Sequence, residues 1–234
     1  MRPPVLVGLL DSGVAPDLAP AVEDARSFTL GEAGRVTAGP VEPDRLGHGS
    51  TLAWIIAGAA PEARLLDAQV FLASHATSPA VVAAGLDWLA GRGARIVNMS
   101  FGLRHDREVL RRACDSAREA GVILLASAPA RGAMVYPAGY QGVVKVSGDA
   151  RCAPGEISTL GGAQADFGAH PRPLAGAPGA GQSGGASFAV AHLCGHLAGY
   201  LAERPGAGRD EMLEHLAAVA RYHGPERRRA GTGD

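Results

Sequence analysis

Three consecutive stretches decide the fold: Arg95-Ile96-Val97-Asn98-Met99, then Arg107 to Ala120, then Val122-Ile123-Leu124-Leu125-Ala126-Ser127. The outer two are short, apolar and rich in branched side chains, and read as strands. Between them Val109, Leu110, Ala113 and Ala117 share one helical face. A strand, a helix of about a dozen residues and a second strand make a right-handed crossover, which sets the strands parallel. Val122 to Leu125 shows no polar alternation, as expected of a strand covered on both faces.

The same alternation runs outward in both directions. Val5–Leu10, Arg64–Val70 and Val143–Ser147 read as further strands. His48–Ala59, Pro79–Gly91, Ser187–Leu201 and Asp210–Ala220 read as helices. Val81, Val82, Leu86 and Leu89 fall on one side of the second of these. Between Ala150 and Gly185 glycine, proline and alanine dominate, which indicates a loop-rich connection with short strands. The expected architecture is α/β, with a mostly parallel sheet covered on both faces. Residues 1–221 form one domain in this reading, and 222–234 a flexible polar tail.

With 234 residues, 47% of them hydrophobic and 19% charged, the chain can bury a sizeable core. The formal net charge of −1 gives no sign of a nucleic-acid partner or an anionic membrane surface. Val5–Leu10 is too short to span a membrane and no cleavage site of small residues follows it. The expectation is a cytoplasmic protein whose chain starts directly in its first strand, with no pro-segment ahead of it. Cys114, Cys152 and Cys194 are odd in number and lack a CxxC pair, so neither a disulfide framework nor a zinc site is expected. His105, His170, His196, His215 and His223 have no companion at metal-ligand spacing. His192 and His196 lie four apart on one helix face, but Leu193, Cys194 and Gly195 between them supply no catalytic carboxylate. The Gly-rich run Gly179–Gly185 lacks the Lys-Ser/Thr ending of a phosphate loop.

Chemistry enters through three short segments in a particular order. Asp11-Ser12-Gly13 ends the first strand, His48-Gly49-Ser50 opens a helix after a glycine, and Gly185-Ala186-Ser187 opens another. Each alone has an ordinary reading: a strand end, a helix cap, an N-terminal serine. Strand carboxyl ends and helix N-termini are also where an open α/β sheet gathers its active site. Ser187 is then the candidate nucleophile, His48 the base, and Asp11 the group that fixes the imidazole's tautomer.

These segments resemble the subtilisin-like (subtilase) serine peptidase family. Asp11-Ser12-Gly13-Val14 resembles its aspartate motif, His48-Gly49-Ser50 its histidine motif, and Gly185-Ala186-Ser187-Phe188-Ala189, with His192, its serine motif. Val97-Asn98-Met99-Ser100-Phe101-Gly102 resembles the strand lining the family's substrate cleft. Tyr136-Pro137-Ala138 and Gly142–Val146 resemble a further segment and its strand. The resemblance covers most of residues 4–202 and implies a three-layer α/β sandwich around a mostly parallel sheet of about seven strands, and an endopeptidase acting on peptide or protein substrates. It also implies substrate contacts at Ser100, Phe101, Gly102, Leu103, Ala128 and Pro129, and no cofactor.

The family's oxyanion-donating Asn aligns with Ala130, within Ser127-Ala128-Pro129-Ala130-Arg131-Gly132, so only the Ser187 side of the oxyanion region keeps a donor. Arg131, Gln182 and Ser183 are the candidate replacements. Milder departures are Ala186, Ala191, Trp54 and Leu103, the last of which either packs in a loop or narrows the substrate pocket. The Gly58–Pro61 connection lacks the longer loop that often binds calcium in secreted members, so no structural calcium is expected. The leading expectation is a slow or narrowly specific serine endopeptidase. The alternatives are a peptide-binding scaffold on the same fold, inactive or nearly so, and an acyl transferase or esterase using the same three residues.

Overall fold

A computed structural model describes residues 3–178 and 184–226. The strands are β1 (Leu6–Asp11), β2 (Val22–Leu30), β3 (Val36–Gly39), β4 (Arg64–Gln69), β5 (Ile96–Met99), β6 (Ile123–Ser127), β7 (Val144–Gly148), β8 (Ile157–Thr159), β9 (Phe167–Ala169) and β10 (Tyr222–His223). The α-helices are α1 (His48–Ala59), α2 (Pro79–Gly91), α3 (Glu108–Glu119), α4 (Ala186–Glu203) and α5 (Arg209–Val219). One sheet runs in the order β10-β8-β9-β7-β6-β5-β1-β4-β2-β3.

The neighbours β9, β7, β6, β5, β1, β4 and β2 are joined by parallel pairings and form the body of the sheet. Antiparallel β3 extends one edge and antiparallel β8 the other, followed by β10. Ten strands therefore stand where about seven were expected, with the parallel body matching that expectation. The β2–β3 hairpin escaped the sequence reading because Glu23, Asp24 and Arg26 break up its apolar pattern, as charge does near a sheet edge. Strand β10 pairs Tyr222 with Ser158 and His223 with Thr159, so ordered structure continues past residue 221. Residues 227–234 of the expected tail lie outside the described residues.

Two apolar layers sandwich the sheet. On one face Leu9, Leu65 and Leu125 pack with Ile56 of α1, Leu193 and Leu197 of α4, and Leu216 of α5. On the other, Leu10, Val97 and Leu124 meet Val82 and Leu86 of α2 and Leu110 and Ala117 of α3. The sequence-derived face of α3 is corrected at one position: Val109 is 46% exposed, and Cys114 takes its place in the core. All three cysteines are free and buried, and burial raises each thiol's pKa. Among the described residues no helix is long and apolar enough to cross a membrane.

The site is placed by the point where the sheet reverses direction. Strand β1 leads to β2 on its β4 side, whereas its other neighbour β5 leads away to β6, so the chain leaves these two adjacent strands in opposite directions at their carboxyl ends. A crevice opens there in α/β sheets, and Asp11 is the last residue of β1. Helix α4 passes beneath, close enough to α1 that a Cβ on Gly195 would lie 2.6 Å from the Ala59 methyl.

Candidate active site

Asp11 is 2% exposed, at the end of a strand with nowhere to move. Its Oδ1 accepts from the Ser12 backbone N–H at 2.8 Å and from His48 Nδ1 at 2.8 Å. A carboxylate partner requires the proton on Nδ1, which leaves Nε2 of His48 as a lone-pair base.

His48 is the first residue of α1, and several groups hold that helix start. Asp44 Oδ1 accepts from the Leu46 and Gly47 backbone N–H groups at 3.0 and 2.8 Å. Its Oδ2 accepts from the Ser50 N–H at 3.0 Å and the Ser50 hydroxyl at 2.6 Å. A carboxylate in this position satisfies orphan donors and favours the positive helix end. Gly49 donates to Ser12 Oγ at 2.9 Å, and a Cβ there would come within 2.3 Å of the Gly13 carbonyl oxygen. Only glycine lets α1 approach the β1 turn closely enough for His48 to reach Asp11. Gln69 completes the frame, donating to the Ser12 and Glu42 carbonyls at 2.8 Å each.

Burial pulls the His48 pKa down, but the Asp11 hydrogen bond and the charges of Asp11 and Asp44 outweigh it, and the net direction is upward from 6.5.

Ser187 is the second residue of α4, so its backbone N–H has no carbonyl partner within its own helix. Its hydroxyl donates to the Ser100 carbonyl at 3.1 Å, and the Ser100 hydroxyl donates to the Ser187 carbonyl at 3.0 Å. Asn98 Nδ2 donates in turn to Ser100 Oγ at 3.0 Å. This reciprocal clamp fixes the end of β5 to the start of α4. No hydrogen bond joins Ser187 to His48 among the described residues.

Asp11, His48 and Ser187 nevertheless line one cavity of about 470 Å³, together with Ser100, Phe101, Gly102 and Leu103. Ser100 is buried and holds Ser187. Leu103 joins the cavity wall while its backbone pairs with Tyr136. Ala128, Pro129 and Ala130 line a second cavity, of about 690 Å³, that reaches Gly184–Ala186 just before Ser187. The two halves of the expected substrate contacts thus flank the start of α4. Arg131 lines a third recess with Asp149 and Glu226, not either of these cavities. Gln182 and Ser183 lie outside the described residues. Trp54 finds room on the flank of α1, half-buried against the core.

His192 and His196 turn to different partners. His192 Nε2 donates to the Arg172 carbonyl at 3.1 Å, whereas His196 Nε2 meets His215 Nε2 at 3.0 Å. Among the described residues no three His, Cys, Asp or Glu side chains gather as metal ligands would.

Sequence reasoning missed Asp44, Phe71, His75 and Asp67. Asp44 lies three positions ahead of the N-cap Gly47, outside the usual capping position, and reaches the helix start only because the chain folds back there. Phe71 and His75 line the first cavity from a loop with no periodic signal. Asp67 interrupts the apolar strand Arg64–Val70, and a charge inside a doubly covered strand is itself a signal. Only 2% exposed, Asp67 has an Oδ1 without a hydrogen-bond partner. Burial first, then the charges of Asp11 and Asp44, raise its pKa to about 7. A raised carboxyl pKa means the fold prefers the protonated form. Its contribution to stability is full below 3.8 and is lost as pH rises through about 7. Asp67→Asn is therefore expected to flatten the loss of stability between pH 5 and 8, by on the order of a few kcal/mol at the alkaline end. Denaturant titrations across that range check it; an unchanged slope contradicts it.

The comparisons with known proteins fall on this geometry. The sequence model described as "Subtilase family" matches residues 3–233. Subtilisin Savinase of Lederbergia lenta is 33% identical over 155 residues, covering 61% of this chain and 54% of that protein. An alkaline protease of Shouchella clausii is likewise 33% identical over 155 residues, covering 61% of this chain and 38% of its own length. The match thus spans about half or less of these relatives. Sphericase superposes with a TM-score of 0.70 at 20% identity, over 92% of this chain and 82% of its own. A protease from Pseudoalteromonas arctica gives 0.72 at 20%, over 93% and 83%. At those identities the two structures bear on the fold alone. With a parallel α/β sandwich, an aspartate–histidine pair at the sheet's switch point and a family match over nearly its whole length, this chain belongs to the subtilase family.

Proposed function

We propose that this chain is a serine endopeptidase in which Ser187 is the nucleophile, His48 the general base and acid, and Asp11 the group that orients and stabilises the imidazole. The observation that carries the reading is the 2.8 Å Asp11–His48 hydrogen bond on the wall of the cavity that also holds Ser187 at a helix start. A turn of the Ser187 side chain away from the Ser100 carbonyl frees the hydroxyl for His48. Its oxygen then bonds to the substrate carbonyl carbon while its proton passes to His48 Nε2. That proton next goes to the leaving amine as the C–N bond breaks, which leaves an ester on Ser187. Water attacks the ester, its proton passes through His48 to Ser187 Oγ, and the acid departs. The Ser187 N–H, at the positive end of α4, faces the developing oxyanion.

We read the activity as slow or narrow because Ala130, at the expected second donor position, has no polar side chain. Removing one such donor costs about 10²–10³-fold in kcat, a figure measured in subtilisin and borrowed here. Ala130→Asn is the test: kcat on a good peptide substrate is expected to rise, by up to that factor, with little change in KM. No rise would mean that another group fills the oxyanion position.

A second reading rests on the same alanine and on the Ser187 hydroxyl's attachment to Ser100: a peptide-binding scaffold with turnover lost. An uncharged fluorophosphonate separates the two. The peptidase should take up one probe per chain, and a scaffold none.

A further inference from the structure

The second cavity, between Ala130 and Gly184, carries a charge pattern that hydrolysis itself does not use. None of the described residues lining it is Asp or Glu, while Arg172 and His170 both are part of its wall. Arg172 is exposed, and its guanidinium has no ion pair or hydrogen bond among the described residues. The acids of the adjoining recess do not cancel it. Asp149 is held by the Arg151 guanidinium at 2.7 Å and by the Ser158 hydroxyl at 2.6 Å. Glu226 already has interactions of its own and adds its charge to the surroundings of Arg151.

The backbone that carries Arg172 is held relative to the nucleophile. The Pro171 carbonyl accepts from the Gly185 N–H at 2.8 Å, two residues before Ser187. The Arg172 carbonyl accepts from His192 Nε2 at 3.1 Å, five residues after it. A Cβ on Gly184 would lie 2.8 Å from the Pro171 carbonyl oxygen and 3.2 Å from Arg172 Cγ, so the two segments touch. The segment bearing Arg172 is thus tied to α4 on both sides of Ser187. An arginine without a partner among the described residues, in a pocket whose described lining holds no acid, matches a carboxylate, which it can bind with two parallel N–H···O bonds.

We propose that Arg172 is a specificity-determining residue, selecting substrates that place a carboxylate in the cavity between Ala130 and Gly184. The inference builds on the peptidase reading of Ser187 and adds the substrate class: peptides acidic next to the cleaved bond. The carboxylate has two chemical sources, an Asp or Glu side chain or a peptide's own C-terminus.

The test uses the full chain and hexapeptides acetylated at one end and amidated at the other, with Asp, Glu, Gln or Lys at each position in turn. A matching set keeps the free C-terminal carboxylate. At one position, acidic peptides are expected to exceed their Gln counterparts about tenfold in kcat/KM, an advantage that shrinks with added salt. Arg172→Gln should remove the advantage and Arg172→Glu should transfer it to Lys. An advantage confined to free-acid peptides assigns the site to the C-terminal carboxylate. The same panel is titrated onto Ser187→Ala protein, and onto that protein also carrying Arg172→Glu, by fluorescence polarisation, which reads the preference without turnover. Loss of fluorophosphonate labelling in the wild type would remove the peptidase reading while leaving this binding arm intact. A preference that is absent, or that Arg172→Glu leaves unchanged in both arms, overturns the assignment.

Discussion

Ser187→Ala is expected to lower peptide hydrolysis by about 10⁶-fold, the scale measured for the nucleophile of subtilisin and carried over to this family member. The size follows from what the hydroxyl does. Without Oγ no acyl-enzyme forms, and His48 and Asp11 have nothing to activate, so the three residues fail together. The fold should barely notice. The lost hydroxyl removes one hydrogen bond to the Ser100 carbonyl, worth about 1 kcal/mol. The reciprocal bond from the Ser100 hydroxyl to the Ser187 carbonyl remains. Hydrolysis assays beside thermal melts separate the effects: activity gone with the melting temperature nearly unchanged supports the nucleophile, and substantial residual turnover contradicts it.

Asp11→Asn should cost about 10⁴-fold in kcat and change the shape of the pH profile. In the wild type the rising limb reports His48 losing its proton, at a pKa displaced upward from 6.5. The displacement is a balance, since burial acts downward and Asp11, with help from Asp44, acts upward more strongly. An amide at position 11 removes the charge and can offer its N–H to Nδ1, which selects the wrong tautomer. The remaining limb should move to lower pH as burial takes over. Stability shifts with the same sign logic. A histidine whose folded pKa is raised stabilises the fold below 6.5 and loses that contribution as pH rises through the folded pKa. The variant should therefore lose more stability at pH 5 than at pH 9. Rate profiles of both proteins from pH 5 to 10 check the first part; a limb that stays in place would detach Asp11 from His48.

The centre of the fold was legible because its strands are buried on both faces. Runs such as Val122–Leu125 and Val5–Leu10 have no solvent side to obscure them. The β2–β3 hairpin was not, because strands near an edge carry charge and imitate a loop. Strand β10 was hidden for a different reason: two residues that pair only after β8 exists leave no local pattern. In the site, Asp11, His48 and Ser187 stood out only through the order of their segments and the resemblance of those segments to one family's motifs, since each alone reads as an ordinary strand end or helix start. That they line one cavity could not be deduced from spacing, nor could the Ser100 carbonyl's hold on the Ser187 hydroxyl, which joins residues 87 apart. Asp67 was readable in principle. Its interruption of an apolar strand was visible, but its proximity to Asp11 and Asp44 belongs to the folded sheet alone.

The central claim, that the Asp11–His48 pair turns Ser187 into a nucleophile, is tested most directly by mass spectrometry of the chain after timed exposure to a fluorophosphonate across a pH series. The expected result is a single adduct on Ser187 whose rate of formation climbs through one titration above pH 6.5, and which fails to form in folded His48→Ala protein. An adduct on another residue, or a rate indifferent to pH and to His48, would contradict the account.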